Sequence, residues 1–340
     1  MTGMTLVRRS TAVAFAAVLT ASALTACGGR QDVASSDAGG EINCQVANET
    51  RVGIATGNAT GVYFALGNAY AEQLNAIGGK VKATAAETGA SVQNIQQLVA
   101  GTYGVAFSLA DTAADAVNGT GSFDKKQPVA ALARIHTNYT HVVVRKAAGI
   151  KDIAGMRGKR VSTGSPKSGT EVIANRLLKA GGLDPAKDIR AQRLDLTKTV
   201  DGMKDGTIDA LFWSGGLPTP GITDLMTTSA AQVEFLDITP VLGEMQKINP
   251  VYEKSTIKAA TYRMAADVPT IVVPNLLLVR DDLDANVACV LTRALFQRQP
   301  QLAQANAAAK EITLANSRKT DPVPLHRGAA KALDDLGAPK

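Results

Sequence analysis

From Arg51 onward the chain alternates short apolar runs with stretches whose apolar residues recur at helical spacing. Residues 52–56 read as a strand, 57–61 as a glycine-bearing loop and 62–76 as a helix. The unit then repeats in kind. Strands are predicted over 81–85, 104–109 and 129–135, with helices over 91–100 and 111–117. The middle of the chain continues with strands over 141–145, 159–163, 189–194, 210–213 and 233–237, and helices over 170–180 and 200–204. Residues 270–280 form an extended stretch interrupted by Pro274, and helical spacing returns over 285–296 and 302–312. Strands alternating with helices imply an α/β fold built on mainly parallel sheets. Two apolar strands end alike, His141–Arg145 and Asn275–Arg280. They are either the two crossings between a pair of lobes or two unrelated core strands.

The first residues carry a different pattern. Arg8 and Arg9 precede an uncharged, mostly apolar stretch over 11–24, and Leu24-Thr25-Ala26-Cys27 follows. A run this short suits a secretory signal better than a membrane span, which needs about 20 residues. The tetrad resembles the bacterial lipobox, which implies cleavage before Cys27 and lipidation of its sulfur. Residues 1–26 are then a lipoprotein signal peptide. Residues 27–47 form a lipidated tether, rich in Gly, Ser and Asp between 28 and 43. The expected location is the cell envelope, on the outer face of the cytoplasmic membrane.

Composition sets limits on the rest. Of 340 residues, 45% are hydrophobic and only 4% aromatic, so the core is built from Ala, Val, Leu and Ile. The formal charge of +6 falls by two when Arg8 and Arg9 leave with the signal, and no basic run interleaves with aromatics, so nucleic acid is not an expected partner. With Cys27 lipidated, Cys44 and Cys289 remain as a pair, either bridged in an oxidising compartment or two small buried thiols. Neither belongs to a C-x-x-C motif, and no metal site or cofactor is expected. The three histidines, His136, His141 and His326, fit no hydrolase or metalloprotease motif, so no catalytic residue is assigned and the chain is not expected to be an enzyme.

Several loops carry binding chemistry. Gly57 to Gly61 joins a strand to a helix, where the backbone can approach a ligand and free N–H groups can meet an anion. It lacks the second glycine of G-x-G-x-x-G, and it reads equally as a tight turn. Thr56 flanks it, and Tyr63 opens the helix, either with its hydroxyl in reach of the same ligand or as a half-buried core tyrosine. The 164–170 segment is a near miss for a nucleotide loop, because Thr170 stands where the lysine should be. What survives is a Gly/Ser loop whose Ser168, Gly169 and Thr170 either bind a carboxylate or supply the S-x-x-E capping box that ends at Glu171. Ser91 and Asp111 each open a helix after a strand, as caps or as ligand contacts. Trp213 and Ser214 end a strand, where open α/β sheets hold their ligands, although Trp213 reads equally as plain core.

Taken in order, these residues resemble the TAXI family of TRAP-transporter solute receptors from about Arg51 to Gly337. The loop Thr56-Gly57-Asn58-Ala59-Thr60-Gly61-Val62-Tyr63 resembles the family's T-G-G-T-G-G-V-Y. Thr88-Gly89-Ala90-Ser91-Val92-Gln93-Asn94 resembles a T-x-G-S-V-x-N segment. Gly158 to Glu171, Asp205 to Ala210 and Pro324-Leu325-His326 follow the same order, and the His326 motif reads as structural. The resemblance implies a two-lobed periplasmic-binding-protein fold of type II, each lobe a mixed, mainly parallel sheet flanked by helices, with the ligand in the cleft. Residues 48–138 plus 275–340 would form one lobe and 139–274 the other. It also implies a monomer that closes on a small organic acid or acidic amino acid such as glutamate and delivers it to a TRAP membrane permease. A sensor presenting solute to a membrane kinase is the alternative. Asn58, Ala59 and Thr60 depart from the family loop, as do Trp213 and His136, which stands where an aromatic is common. Asn58 is therefore an expected ligand contact.

Overall fold

The computed structural model describes residues 40–340. Cys27, the signal segment and most of the tether lie outside the described residues. The chain runs β1 (Thr50–Ala55), α1 (Val62–Ala76), β2 (Val81–Ala86), α2 (Ser91–Val99), β3 (Val105–Leu109) and α3 (Ala110–Asn118) into a long β4 (Val129–Arg145). It continues through β5 (Arg160–Ser162), α4 (Gly169–Ala180), β6 (Arg190–Gln192), α5 (Leu196–Asp205), β7 (Ala210–Gly215), α6 (Pro220–Ser229), β8 (Val233–Phe235), α7 (Leu242–Ile248), β9 (Glu253–Ile257) and α8 (Ala259–Tyr262). A second long strand, β10 (Val268–Arg280), precedes α9 (Ala285–Gln297), α10 (Gln299–Ala305) and α11 (Arg327–Asp335).

The strands order as β2-β1-β3-β10-β4-β7-β5-β6, with β8 on β4 and β9 on β10. Within each lobe the strands that precede helices are parallel: β1 with β2 and β3, and β5 with β6 and β7. The antiparallel pair β4 and β10 carries the chain from one lobe to the other. Its first-lobe end pairs Val129 with Arg280, and it crosses where Thr137 meets Pro274 and Tyr139 meets Val272. Beyond the crossing, Tyr139 to Val144 pairs with β7.

Two sequence expectations change here. The strands expected over 129–135 and 141–145 are one strand of 17 residues. The polar stretch between them, His136 to Thr140, breaks the apolar pattern because the crossing uses polar side chains. Asn275 Nδ2 donates to Asn138 Oδ1 at 2.8 Å and to the His136 carbonyl at 2.9 Å. Pro274 is tolerated inside β10 because the register shifts there, between Pro274 and Leu276. The edge strand β9 and helices α6, α7 and α11 were not expected. The β9 sequence Glu-Lys-Ser-Thr-Ile carries no apolar alternation to mark it.

The core has three main parts. One lies on a first-lobe sheet face under α1 and α9, including Leu66, Tyr70, Leu277 and Leu291. Another lies under α5 and α6 in the second lobe, including Leu211, Ile222 and Leu225. The third is shared by both lobes, joining Ile95 and Leu109 of the first to Ile173 and Leu177 of the second. A shared apolar core marks a closed arrangement of the lobes.

A small fourth cluster pins the start of the folded body. Cys44 and Cys289 form a disulfide across a sequence separation of 245. Asn286 Oδ1 accepts from the backbone N–H groups of both Asn43 and Cys44 at 2.9 Å. The chain is thus held from Asn43, earlier than the tether boundary expected at residue 47. Replacing both cysteines with alanine is expected to cost about 2–4 kcal/mol, read as a lower melting temperature that reducing agent reproduces in the parent protein. An unchanged melting temperature would show that the strap carries no stability.

Candidate functional site: an interlobe cleft at three helix starts

The cleft between the lobes lies beside the strand crossing and leaves a small free cavity of about 30 Å³. Three helices begin at its wall, α1 at Val62, α2 at Ser91 and α4 at Gly169, each at the end of a parallel strand's connecting loop. The first two have Gly61 and Ala90 at their N-caps, and neither has a side-chain cap. In α2 the Gln93 N–H donates to the Lys167 carbonyl at 3.0 Å. The N–H groups of the first residues of α1 and α2, Val62 and Ser91, stand at the positive end of each helix dipole beside the cleft. Trp213 forms the opposite wall, its ring so close to Gly61 that a Cβ there would sit 3.3 Å from it. Val62, Leu109 and Tyr63 supply further apolar surface.

The α2 loop is strained for this purpose. Ala90 has φ 78° and ψ −156°, a conformation close to glycine's preserve that costs on the order of 1–3 kcal/mol in other residues. It stands at the glycine position of the T-x-G-S pattern. Asn94 holds the loop in place. Its Oδ1 accepts from the Thr88 hydroxyl at 2.6 Å, and its Nδ2 donates to the carbonyls of Thr56 at 2.7 Å and Phe107 at 2.8 Å. One buried amide thus ties the ends of β1 and β3 to the start of α2. Asn94 appeared in the sequence only as the last letter of a motif, and nothing in its spacing marked it as this anchor.

Of the residues expected at the site, Gly57, Asn58, Tyr63, Ser91, Gly169, Thr170, Trp213 and Ser214 line the cleft. Several have their polar atoms engaged. Ser91 Oγ accepts from Leu109 N at 3.1 Å, and Thr170 Oγ1 accepts from Ser214 N at 3.2 Å. The Trp213 indole N–H donates to Thr219 Oγ1 at 3.2 Å, which leaves the ring face to the cleft. Tyr63 donates its hydroxyl to Asn275 Oδ1, and burial raises its pKa far above the usual phenol value.

Asn58 takes a different role from the one expected. Its Oδ1 accepts from Ser165 Oγ and from Leu196 N, both at 3.2 Å, and its Nδ2 donates to the Thr88 carbonyl at 3.3 Å. Ser165 and Leu196 belong to the second lobe. Asn58 is therefore a strap between lobes, with its amide already satisfied. Thr60 reinforces it, since its carbonyl accepts from Gly221 N at 3.4 Å.

Three expected residues lie outside the cleft lining. Thr56 Oγ1 donates to the Ala86 carbonyl, behind the loop. Ser168 is the N-cap of α4 and accepts from Glu171 N at 3.0 Å, so the capping reading of its motif holds. Asp111 is fully buried, and its carboxylate is occupied. Arg176 of the second lobe donates to Oδ2 at 2.8 Å, the Tyr252 hydroxyl donates to the same oxygen, and Thr112 N donates to Oδ1 at 2.7 Å. Arg176 also pairs with Asp115 at 2.6 Å. Its guanidinium pKa lies above its usual value despite burial, because the Asp111 carboxylate and its neighbours favour the cation.

Sequence reasoning missed the polar chain at the crossing. Tyr63, Asn275, Asn138 and Ser214 are linked in series, the last step being Asn138 Nδ2 donating to Ser214 Oγ at 3.4 Å. It runs from α1 of one lobe to β7 of the other along the floor of the cleft. Beside it, His136 is fully buried, with its ring edge-on to Tyr63 at 5.9 Å and no partner on either nitrogen. Burial pushes its imidazole down to about 3. His141, also buried, is pushed down to about 4. Burial keeps it neutral even though its Nδ1 contact with the Tyr139 carbonyl favours the cation, and its Nε2 meets the Tyr262 hydroxyl at 2.8 Å.

These shifts set an acid limit on stability. Both histidines have folded pKa values below the unfolded value near 6.5, so the unfolded chain binds more protons as pH falls. The stability is fully present above about pH 6.5 and declines from there toward pH 4, by up to about 1.4 kcal/mol per pH unit for each histidine. His136→Phe is expected to remove one of the two contributions and the two orphaned nitrogens. Its gain in melting temperature over the parent should be larger at pH 5 than at pH 8. An equal gain at both pH values would show that His136 is not buried neutral.

The α/β lobes, the paired crossing strands and the interlobe cleft define the class: this is the two-lobed fold of the periplasmic binding proteins. The chain belongs to the NMT1-like family, whose model matches residues 54–337. Among solved structures it is similar to a protein from Bordetella bronchiseptica RB50, at 20% identity over 84% of this chain and 82% of that one, with a TM-score of 0.53. It is also similar to a binding protein component of an ABC phosphonate transporter from Pseudomonas aeruginosa. That identity is 13%, over 85% of this chain and 96% of that one, with a TM-score of 0.51. At these identities the likeness is one of fold.

Proposed function

We propose that this protein is the extracytoplasmic solute receptor of a membrane transporter, binding a small carboxylate by closure of its lobes. The observation that carries the reading is the convergence of three helix N-termini on one interlobe cleft, two of them without side-chain caps. A carboxylate there would accept charge-assisted hydrogen bonds from first-turn N–H groups, each helix adding about 0.3–1 kcal/mol and more where buried. Closure would select one of two pre-existing states and hand over a sealed solute. The motif order resembling TAXI receptors favours a TRAP-type permease as the partner, and the Leu24-Thr25-Ala26-Cys27 pattern favours a lipid anchor that keeps receptor and permease in one membrane plane.

A panel of small carboxylates, amino acids, sugars and cations, screened by thermal shift and followed by calorimetry, tests this. At least one carboxylate is expected to raise the melting temperature and bind near micromolar, about −8 kcal/mol. A panel in which only an unrelated class binds would overturn the reading.

A further inference from the structure

The cleft lining holds no acidic and no basic side chain among the described residues. Its polar surface comes from neutral groups such as Ser91, Asn138, Thr170 and Ser214, and from backbone N–H at the helix starts. This matters most for an amino acid. Its carboxylate would be served by the helix N-termini, but its ammonium needs an anionic or carbonyl-rich partner once water is excluded. The acid best placed in sequence to serve it is Asp111, at the step from β3 to α3. That carboxylate is fully buried outside the lining and saturated by Arg176, Tyr252 and Thr112. Glu171 is likewise engaged, by Arg193 and by Lys167 N, and Glu87 accepts from Ala59 N at 3.0 Å; neither lines the cleft.

We infer that the solute is a carboxylate without an ammonium group, a small oxo or hydroxy acid rather than an amino acid. The inference rests on the receptor reading above and narrows it, since that reading admits glutamate and this one does not. The neutral substituent is matched to the hydroxyls and amide of the cleft, and the remaining carbon skeleton to Trp213, Val62 and Leu109. An unpaired buried charge is far more costly than a neutral oxygen in the same place. The preference is therefore expected to be large.

The test is calorimetry on the purified protein with matched trios that differ only at the α-substituent: alanine, lactate and pyruvate; glutamate, 2-hydroxyglutarate and 2-oxoglutarate; leucine, 2-hydroxyisocaproate and 2-oxoisocaproate. In the trio that binds best, the hydroxy or oxo acid should bind roughly 10- to 100-fold tighter than the amino acid. An amino acid that binds as tightly as its neutral-substituent partner overturns this inference and leaves the receptor reading standing. Failure of every trio, with an unrelated solute binding, overturns both. As a second readout, Ser214→Asp is expected to narrow the gap by placing a carboxylate in the lining. A gap unchanged in a folded Ser214→Asp protein would show that cleft charge does not set the preference.

Discussion

Arg176→Met is expected to destabilise the protein by about 3–5 kcal/mol, because it leaves a buried carboxylate without its counter-charge. Asp111 is fully buried, and Arg176 is the cation that faces it, at 2.8 Å. The same guanidinium serves Asp115 at 2.6 Å and donates to the Tyr252 hydroxyl oxygen at 2.9 Å. Asp115 reports the same environment, since burial raises its carboxyl pKa in spite of Arg176. Calorimetry of the ligand-free protein should show a melting temperature lower by roughly 10 °C. Asp111→Asn combined with Arg176→Met should recover part of the loss, because no unpaired charge remains. A single variant within 1 kcal/mol of the parent would mean that Asp111 is hydrated or protonated in the folded protein.

Asp111 also shows where sequence reasoning stops. The step from β3 to α3 was legible, and an acid in the first turn of a helix is a fair candidate for a ligand amine. Its partner, Arg176, lies 65 positions away on the other lobe, and no local pattern announces it. The interlobe bonding of Asn58, which lines the cleft, was hidden for the same reason. Its acceptors and donors come from Thr88, Ser165 and Leu196, which only the closed fold brings together. The strand-loop-helix units were readable because each is encoded locally. Helix α1 spans Val62–Ala76, where spacing placed it, and the lining residues Gly57, Ser91, Gly169 and Trp213 follow from the rule that such loops face the ligand. The long β4 was split because His136, Asn138 and Thr140 look like a surface turn. They are buried polar groups serving a crossing between lobes, a role that hydrophobic patterning cannot signal.

Gly169→Val is expected to disfavour closure while leaving the separate lobes intact. Gly169 is the first residue of α4, and no unusual backbone angle requires glycine there. A side chain at this position is therefore acceptable to the helix itself, and alanine would even favour it. The obstacle lies across the cleft. A Cβ on Gly169 would clash with Leu109 Cδ1 and would stand 2.6 Å from Ser91 Oγ and 2.9 Å from Leu109 Cγ. Ser91 and Leu109 belong to the first lobe and Gly169 to the second, so the clash exists only when the lobes meet. Forcing methyl groups into such a contact costs about 1–3 kcal/mol, which weakens ligand binding by roughly 10- to 100-fold. The open form avoids the cost, so the ligand-free melting temperature should change little. Small-angle scattering should keep an open profile at ligand concentrations that close the parent. Gly169→Ala should show a smaller loss, and adding Leu109→Ala to it should restore part of the affinity by clearing the opposing side chain. Parent-like affinity in Gly169→Val would mean that the ligand-bound lobes sit farther apart at α4 than they do here, and that the cleft is sealed by other contacts.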